Sequence, residues 1–172
     1  RRIVATESVI IRQDEREIRT ERVVSHPRED RSELSGLTEV SLPGALISGE
    51  RIETSPGQAI IYGQESGSRA QMILLDTGGL GVGGNSQLSE ETIILADLIT
   101  MVEEAEAFRF IFEGRVEVLS GALRQRSDKL TVHSRKVGNE STSDEREEVG
   151  QVHRLLAEGN VVIERSGQVA RA

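Results

Sequence analysis

Residues 79–84 read Gly-Leu-Gly-Val-Gly-Gly, which fits the spacing G-x-G-x-x-G. In a dinucleotide site those glycines bring backbone N–H groups and a helix N-terminus to a pyrophosphate. A strand over residues 71–75 could precede the motif, but the next helical spacing starts several residues too late. The flanking strands also read as hairpins, without β-helix-β alternation, so the stretch reads as a glycine-rich loop. The three histidines, His26, His133 and His153, form no HExxH and no other close ligand pair, which argues against a metal site. Glu103, Glu104 and Glu106 could supply paired carboxylates for acid–base work, yet their setting is that of a solvated charged face. Gly63-Gln64-Glu65-Ser66-Gly67 lacks the spacing of a nucleophile elbow. No catalytic constellation, cofactor site or metal site emerges. Arg115, Arg124, Arg126, Lys129, Arg135 and Lys136 are the densest basic group on an acidic chain, and they read first as solubilising surface.

The stretch that must position any site is 110–132. Phe110, Phe112, Val116 and Val118 recur at alternate residues, with Gly114 completing the row. Ile111, Glu113, Arg115 and Glu117 take the opposite, mostly charged face. That is a strand with one dry side. Ser120-Gly121 supplies a hairpin turn, and a second strand ends on Leu130 and Val132. In the return strand Arg124, Arg126 and Asp128 share parity with Leu130, so a bulge near Ser127 is expected to restore the register.

Similar signals run along the chain. Strands are expected over 4–11, 17–25, 34–42 and 45–54, with short ones at 58–62 and 71–75. His26-Pro27, Pro43-Gly44 and Ser55-Pro56-Gly57 punctuate them. Residues 77–89 read as a glycine-rich loop. Residues 90–107 are ambiguous: Ile94, Leu98, Val102 and Ala105 keep helical spacing, while the surroundings ask for strand and loop. Residues 138–150 are polar and acidic, a flexible loop by composition. Leu155, Ala157, Val161 and Ile163 then share a face around Gly159, and the chain stops within a strand that follows Ser166-Gly167.

The totals set bounds. The 172 residues suffice for a real core, and the whole reads as a single domain. Cysteine is absent, so disulfides and thiolate metal sites are excluded. The net charge of -8 argues against nonspecific nucleic-acid binding. Aromatics at 2% argue against stacking platforms for sugars or single strands. No apolar run reaches the roughly 20 residues of a membrane-spanning helix. No secretory signal is visible, and with Arg1 rather than methionine at the start that absence carries little weight.

Phe112-Glu113-Gly114-Arg115-Val116-Glu117-Val118 and Ala157-Glu158-Gly159-Asn160-Val161-Val162-Ile163 superpose, and Leu34-Ser35-Gly36-Leu37-Thr38-Glu39-Val40 matches them loosely. The glycine–valine unit followed by a turn and Asp128-Lys129-Leu130-Thr131-Val132 resembles the OstA-like (organic solvent tolerance) periplasmic domain of lipopolysaccharide transport proteins, as does the unit around Gly159. The likeness covers 108–172 well and 4–62 loosely, and 63–107 depart from it. It implies an all-β, antiparallel, open twisted β-jelly-roll built from repeated hairpins. It also implies a non-catalytic periplasmic domain that takes acyl chains of lipopolysaccharide or a related lipid into its interior and joins other such domains through edge strands.

On that reading Phe110, Phe112, Val116, Val118, Leu130, Val132, Val161 and Ile163 line the interior. Arg115, Arg124, Arg126 and Lys129 meet anionic head groups at its rim. The competing expectation is a structural β-scaffold that assembles through its edges, with a filled core and no ligand. A third, an enzyme using the glycine loop, stands or falls with nucleotide binding.

Overall fold

The computed structural model describes residues 2–13, 16–64, 67–75, 91–137 and 148–171. Among the described residues alternating side chains build thirteen antiparallel strands in one continuous sheet, with no helix. The first four strands are long: β1 (Ile3–Gln13), β2 (Arg16–His26), β3 (Arg31–Leu42) and β4 (Ala45–Ser55). Four short ones follow: β5 (Gln58–Tyr62), β6 (Ala70–Leu74), β7 (Thr92–Ala96) and β8 (Leu98–Glu103). Then come the long hairpin β9 (Ala107–Ser120) and β10 (Leu123–Val137), β11 (Glu148–Glu158), and the short β12 (Val162–Arg165) and β13 (Gln168–Arg171).

Pairing shows how this sheet folds on itself. One end of β4 pairs with β6 and the other with β5. The partners of β9 on one side are likewise β7 and β8, and those of β10 are β12 and β11. The long strands thus bend at mid-length and serve two half-sheets. Register shifts mark the bends, between Thr6 and Val9 in β1, Ser35 and Thr38 in β3, and Ser127 and Lys129 in β10. The last is the bulge expected from the parity of the basic residues.

Ile47 and Ile52 lie on either side of the bend in β4, paired with Met72 and Ile61 respectively, and both line one cavity. The half-sheets therefore face each other across a shared apolar interior. This is the antiparallel jelly-roll that the resemblance implied.

Residues 91–107 hold the strands β7 and β8 and a short connection at 104–106 that leads into β9. Thr92, Ile94 and Ala96 point inward from β7, and Ile99 does so from β8 after a slip at Asp97. Two short alternating runs offset at Asp97 imitate a helical period, which is why local spacing misled there. Residues 79–84 lie outside the described residues, but the strands flanking them, β6 and β7, pair antiparallel with Leu74 opposite Thr92. A dinucleotide fold needs parallel strands around a crossover helix at that point. The acidic stretch at 138–147 also lies outside the described residues, and β11 begins at Glu148.

Candidate functional site

Cross-strand neighbours on one face of a sheet form rows. In one half-sheet the inward row runs Ile11, Ile18, Val40, Ile47, Met72, Ile94, Val118, Gln125, Ile163. In the other it runs Val23, Leu34, Ile52, Ile61, Ile99, Phe112, Leu130, Ala157. The two rows fill differently along their length.

Toward the N-terminal edge they leave a cavity of about 180 Å³. Ile11, Ile18, Val40, Leu42 and Ile47 line it from one side, and Leu34, Ile52, Ala59, Ile61 and Met101 from the other. Its polar contributions come from Arg16 and Thr54. None of these residues is assigned a site from sequence; most fall in expected strands, while Arg16 precedes one and Met101 lies in the ambiguous stretch 90–107. The available signal was the distribution of aromatics. All three phenylalanines, Phe108, Phe110 and Phe112, sit in β9, so the interior from β2 to β5 is built from smaller aliphatic groups.

At the centre the interior is packed. Phe110, Phe112 and Leu130 are fully buried, and Val116, Val118 and Val132 nearly so. The other two residues expected to line the interior lie toward the C-terminal end, where Val161 is half-buried and Ile163 is 38% exposed.

The four expected rim cations stand on the outer side of the sheet or at its bend, each near a carboxylate. Arg115 holds Asp97 through Nη2 at 2.6 Å, and that pairing raises the Arg115 pKa above its usual value. Lys129 lies 3.5 Å from Glu113. Arg124 and Arg126 converge with Arg69 on Glu117, at 2.5, 3.6 and 2.8 Å. The Glu117 side chain is only 10% exposed, and the hydrogen bond from Arg69, more than the contribution of Arg124, holds its carboxyl below the ordinary range despite burial.

The bend has its own repeating geometry. Asp97 N–H donates to the Gly114 carbonyl, and Asp128 N–H donates to the Gly159 carbonyl, both at 2.9 Å. Each aspartate side chain sits where a Cβ on that glycine would be, as Glu21 does for Gly36. Arg115 and Asn160, the residues after those glycines, hydrogen-bond the same aspartates.

Of the residues weighed for chemistry, His133 and His153 approach with ring centroids 6.0 Å apart, and Glu104 pairs with Arg109 at 3.3 Å. Among the described residues no three His, Asp or Glu groups converge as a metal site.

No protein-family model matches this sequence, and no curated protein matches it. The structure does have a solved counterpart. It is similar to the crystal structure of LptH, the LptA-homologous periplasmic component of the lipopolysaccharide transport device of Pseudomonas aeruginosa. The TM-score is 0.55 with 8% sequence identity, over 83% of this chain and 94% of that one. The fold is thus the LptA-like β-jelly-roll, the architecture expected from the glycine–valine units. At that identity the likeness carries the fold alone.

Proposed function

We propose that this chain is a non-catalytic periplasmic domain that holds acyl chains of lipopolysaccharide, or of a related lipid, and passes them on during outer-membrane biogenesis. The observation that carries the reading is the cavity between the half-sheets, whose walls are aliphatic from both sides. Each methylene buried there contributes about 0.8 kcal/mol, so a hydrocarbon chain needs no specific polar partner. Arg16, at the same cavity, is the cation best placed for an anionic head group. Arg115, Arg124, Arg126 and Lys129 do not line that cavity, so their contact with a head group would be made elsewhere on the rim.

The test is a photo-crosslinking residue at Met101, in folded protein mixed with lipopolysaccharide. An acyl adduct supports the reading, and its absence overturns it. A second crosslinker at Val118 reports whether the buried row of Phe110, Phe112, Val116, Val118, Leu130 and Val132 also opens to the ligand.

A second reading is favoured by the edges. At one end of the sheet β1 exposes Ile3, Val4 and Ile10, each about half open to solvent, and at the other Leu156 and Val169 are similarly exposed. Unpaired edges with apolar side chains are templates for strand addition. The domain would then be a structural scaffold that assembles end to end. Concentration-dependent assembly in sedimentation experiments, with no lipid bound at Met101, favours it over transport.

A further inference from the structure

The inward face of β10 breaks the apolar pattern at two successive positions. Gln125 sits in the row between Val118 and Ile163, and Ser127 lies opposite Val116. Ser127 is only 5% exposed, and neither its hydroxyl nor the Gln125 Nε2 has a hydrogen-bond partner. Buried polar groups are almost always satisfied, so two orphans on one face call for an acceptor.

The local topology shows where that acceptor enters. On its far side β10 pairs with β12 through Arg126, and its pairing with β11 starts at Lys129. Between them the chain turns the corner at Gly159 and Asn160, both with positive φ, and Ser127 has no cross-strand neighbour there. Beyond this break in the pairing, on the same inward face, Leu155 and Ile163 are each 38% exposed.

We infer that Gln125 and Ser127 form a second subsite, separate from the N-terminal cavity, that receives the carbonyl oxygen of an acyl ester or amide linkage while the partly exposed Leu155 and Ile163 contact the adjoining hydrocarbon. The inference rests on the lipid-binding reading above and narrows the ligand class to acylated amphiphiles. An acyl carbonyl fits for two reasons. It accepts hydrogen bonds without bringing a donor that would itself need satisfying. It also carries no charge to desolvate among valines. The two donors lie on one face of a strand roughly 6.6 Å apart along its axis, so the amide arm and the hydroxyl can reach one polar linkage from two sides.

The test compares 1-dodecanoylglycerol with its ether analogue 1-O-dodecylglycerol by calorimetry. The pair differs in the acyl carbonyl. The wild-type protein is expected to bind the ester about tenfold more tightly, the scale of one well-made hydrogen bond. Gln125→Leu combined with Ser127→Ala abolishes that preference and leaves ether binding unchanged. Equal binding of both probes to the wild type overturns the inference but leaves the lipid reading standing, with water as the partner of the two donors. If neither probe binds, both fall. The double variant removes unsatisfied donors, so its thermal midpoint should rise. Should the double variant fail to fold, Ser127→Ala alone must reduce the ester preference, and an unchanged preference overturns the inference.

Discussion

At the scale of single residues, the bend depends on a side chain and a missing one. Gly114 has φ +76°, and a Cβ there would lie 2.5 Å from Asp97 Oδ2. Gly114→Ala combines a left-handed backbone cost of about 1–2 kcal/mol with that collision. A loss of about 2–3 kcal/mol is expected in urea denaturation. In the Asp97→Ala background the same substitution should cost less, because the collision is gone and only the backbone term remains. The glycines were legible from the repeat. The carboxylates over them were not assigned, because Asp97 and Gly114 meet only when strands that are distant in sequence pair. Glu117 is the other decisive residue. Its depressed pKa means that its contribution is complete above the ordinary carboxylate value of 4.5 and is lost as pH falls through the depressed one. Denaturation midpoints followed downward from neutral pH should therefore drop below that point, and less steeply in Glu117→Gln. At neutral pH Glu117→Gln is expected to cost about 1–3 kcal/mol, since charged hydrogen bonds from Arg69 and Arg124 weaken together.

At the scale of elements, β1 is built like the other bent strands but with the wrong residue at its corner. The bends in β9 and between β11 and β12 use two consecutive left-handed residues, Gly114-Arg115 and Gly159-Asn160. β1 uses Glu7 and Ser8, with φ of 71° and 55°. Glutamate in the glycine position is strained, and this strand is also exposed along most of its length. Glu7→Gly should stabilise β1 by about 0.5–1 kcal/mol, the relief of strain net of added chain entropy. Hydrogen exchange at the β1 amides that face β2 measures this locally, and slower exchange is the expected result. Elements with clean alternation, such as β5 over Gln58–Tyr62, could be read from sequence to the residue. The pair β7 and β8 could not, because the slip at Asp97 replaces one alternating strand with two offset ones. Only the tertiary pairing of both with β9 shows that the helical spacing is a coincidence of that offset.

At the scale of the whole molecule, what matters is that one interior is filled in one place and open in another. Alternation could tell which side chains point inward, but whether facing rows touch depends on volumes summed over both half-sheets. The expected lining at Phe110 and its neighbours came from alternation, which carries no signal for the space bordered by the aliphatic rows of β2–β5. Adding volume distinguishes the two regions. Ala59, 8% exposed, borders the cavity, whereas Ala96, fully buried, does not line it. Ala96→Leu forces side chains into a packed region, and overpacking of that kind costs about 1–3 kcal/mol. Ala59→Leu places the same added methylenes in empty apolar space, where they gain contacts and transfer energy without displacing neighbours. The ligand-free protein should therefore tolerate Ala59→Leu, with an unchanged or slightly raised denaturation midpoint, while Ala96→Leu lowers it. If the cavity holds an acyl chain, Ala59→Leu must also reduce lipopolysaccharide crosslinking at Met101, since the substituted side chain occupies the volume the chain would take. A scaffold without a ligand would show the same contrast in stability but have no crosslinking to lose. Measured together, the two variants separate an interior that is open for a purpose from one that is merely underpacked.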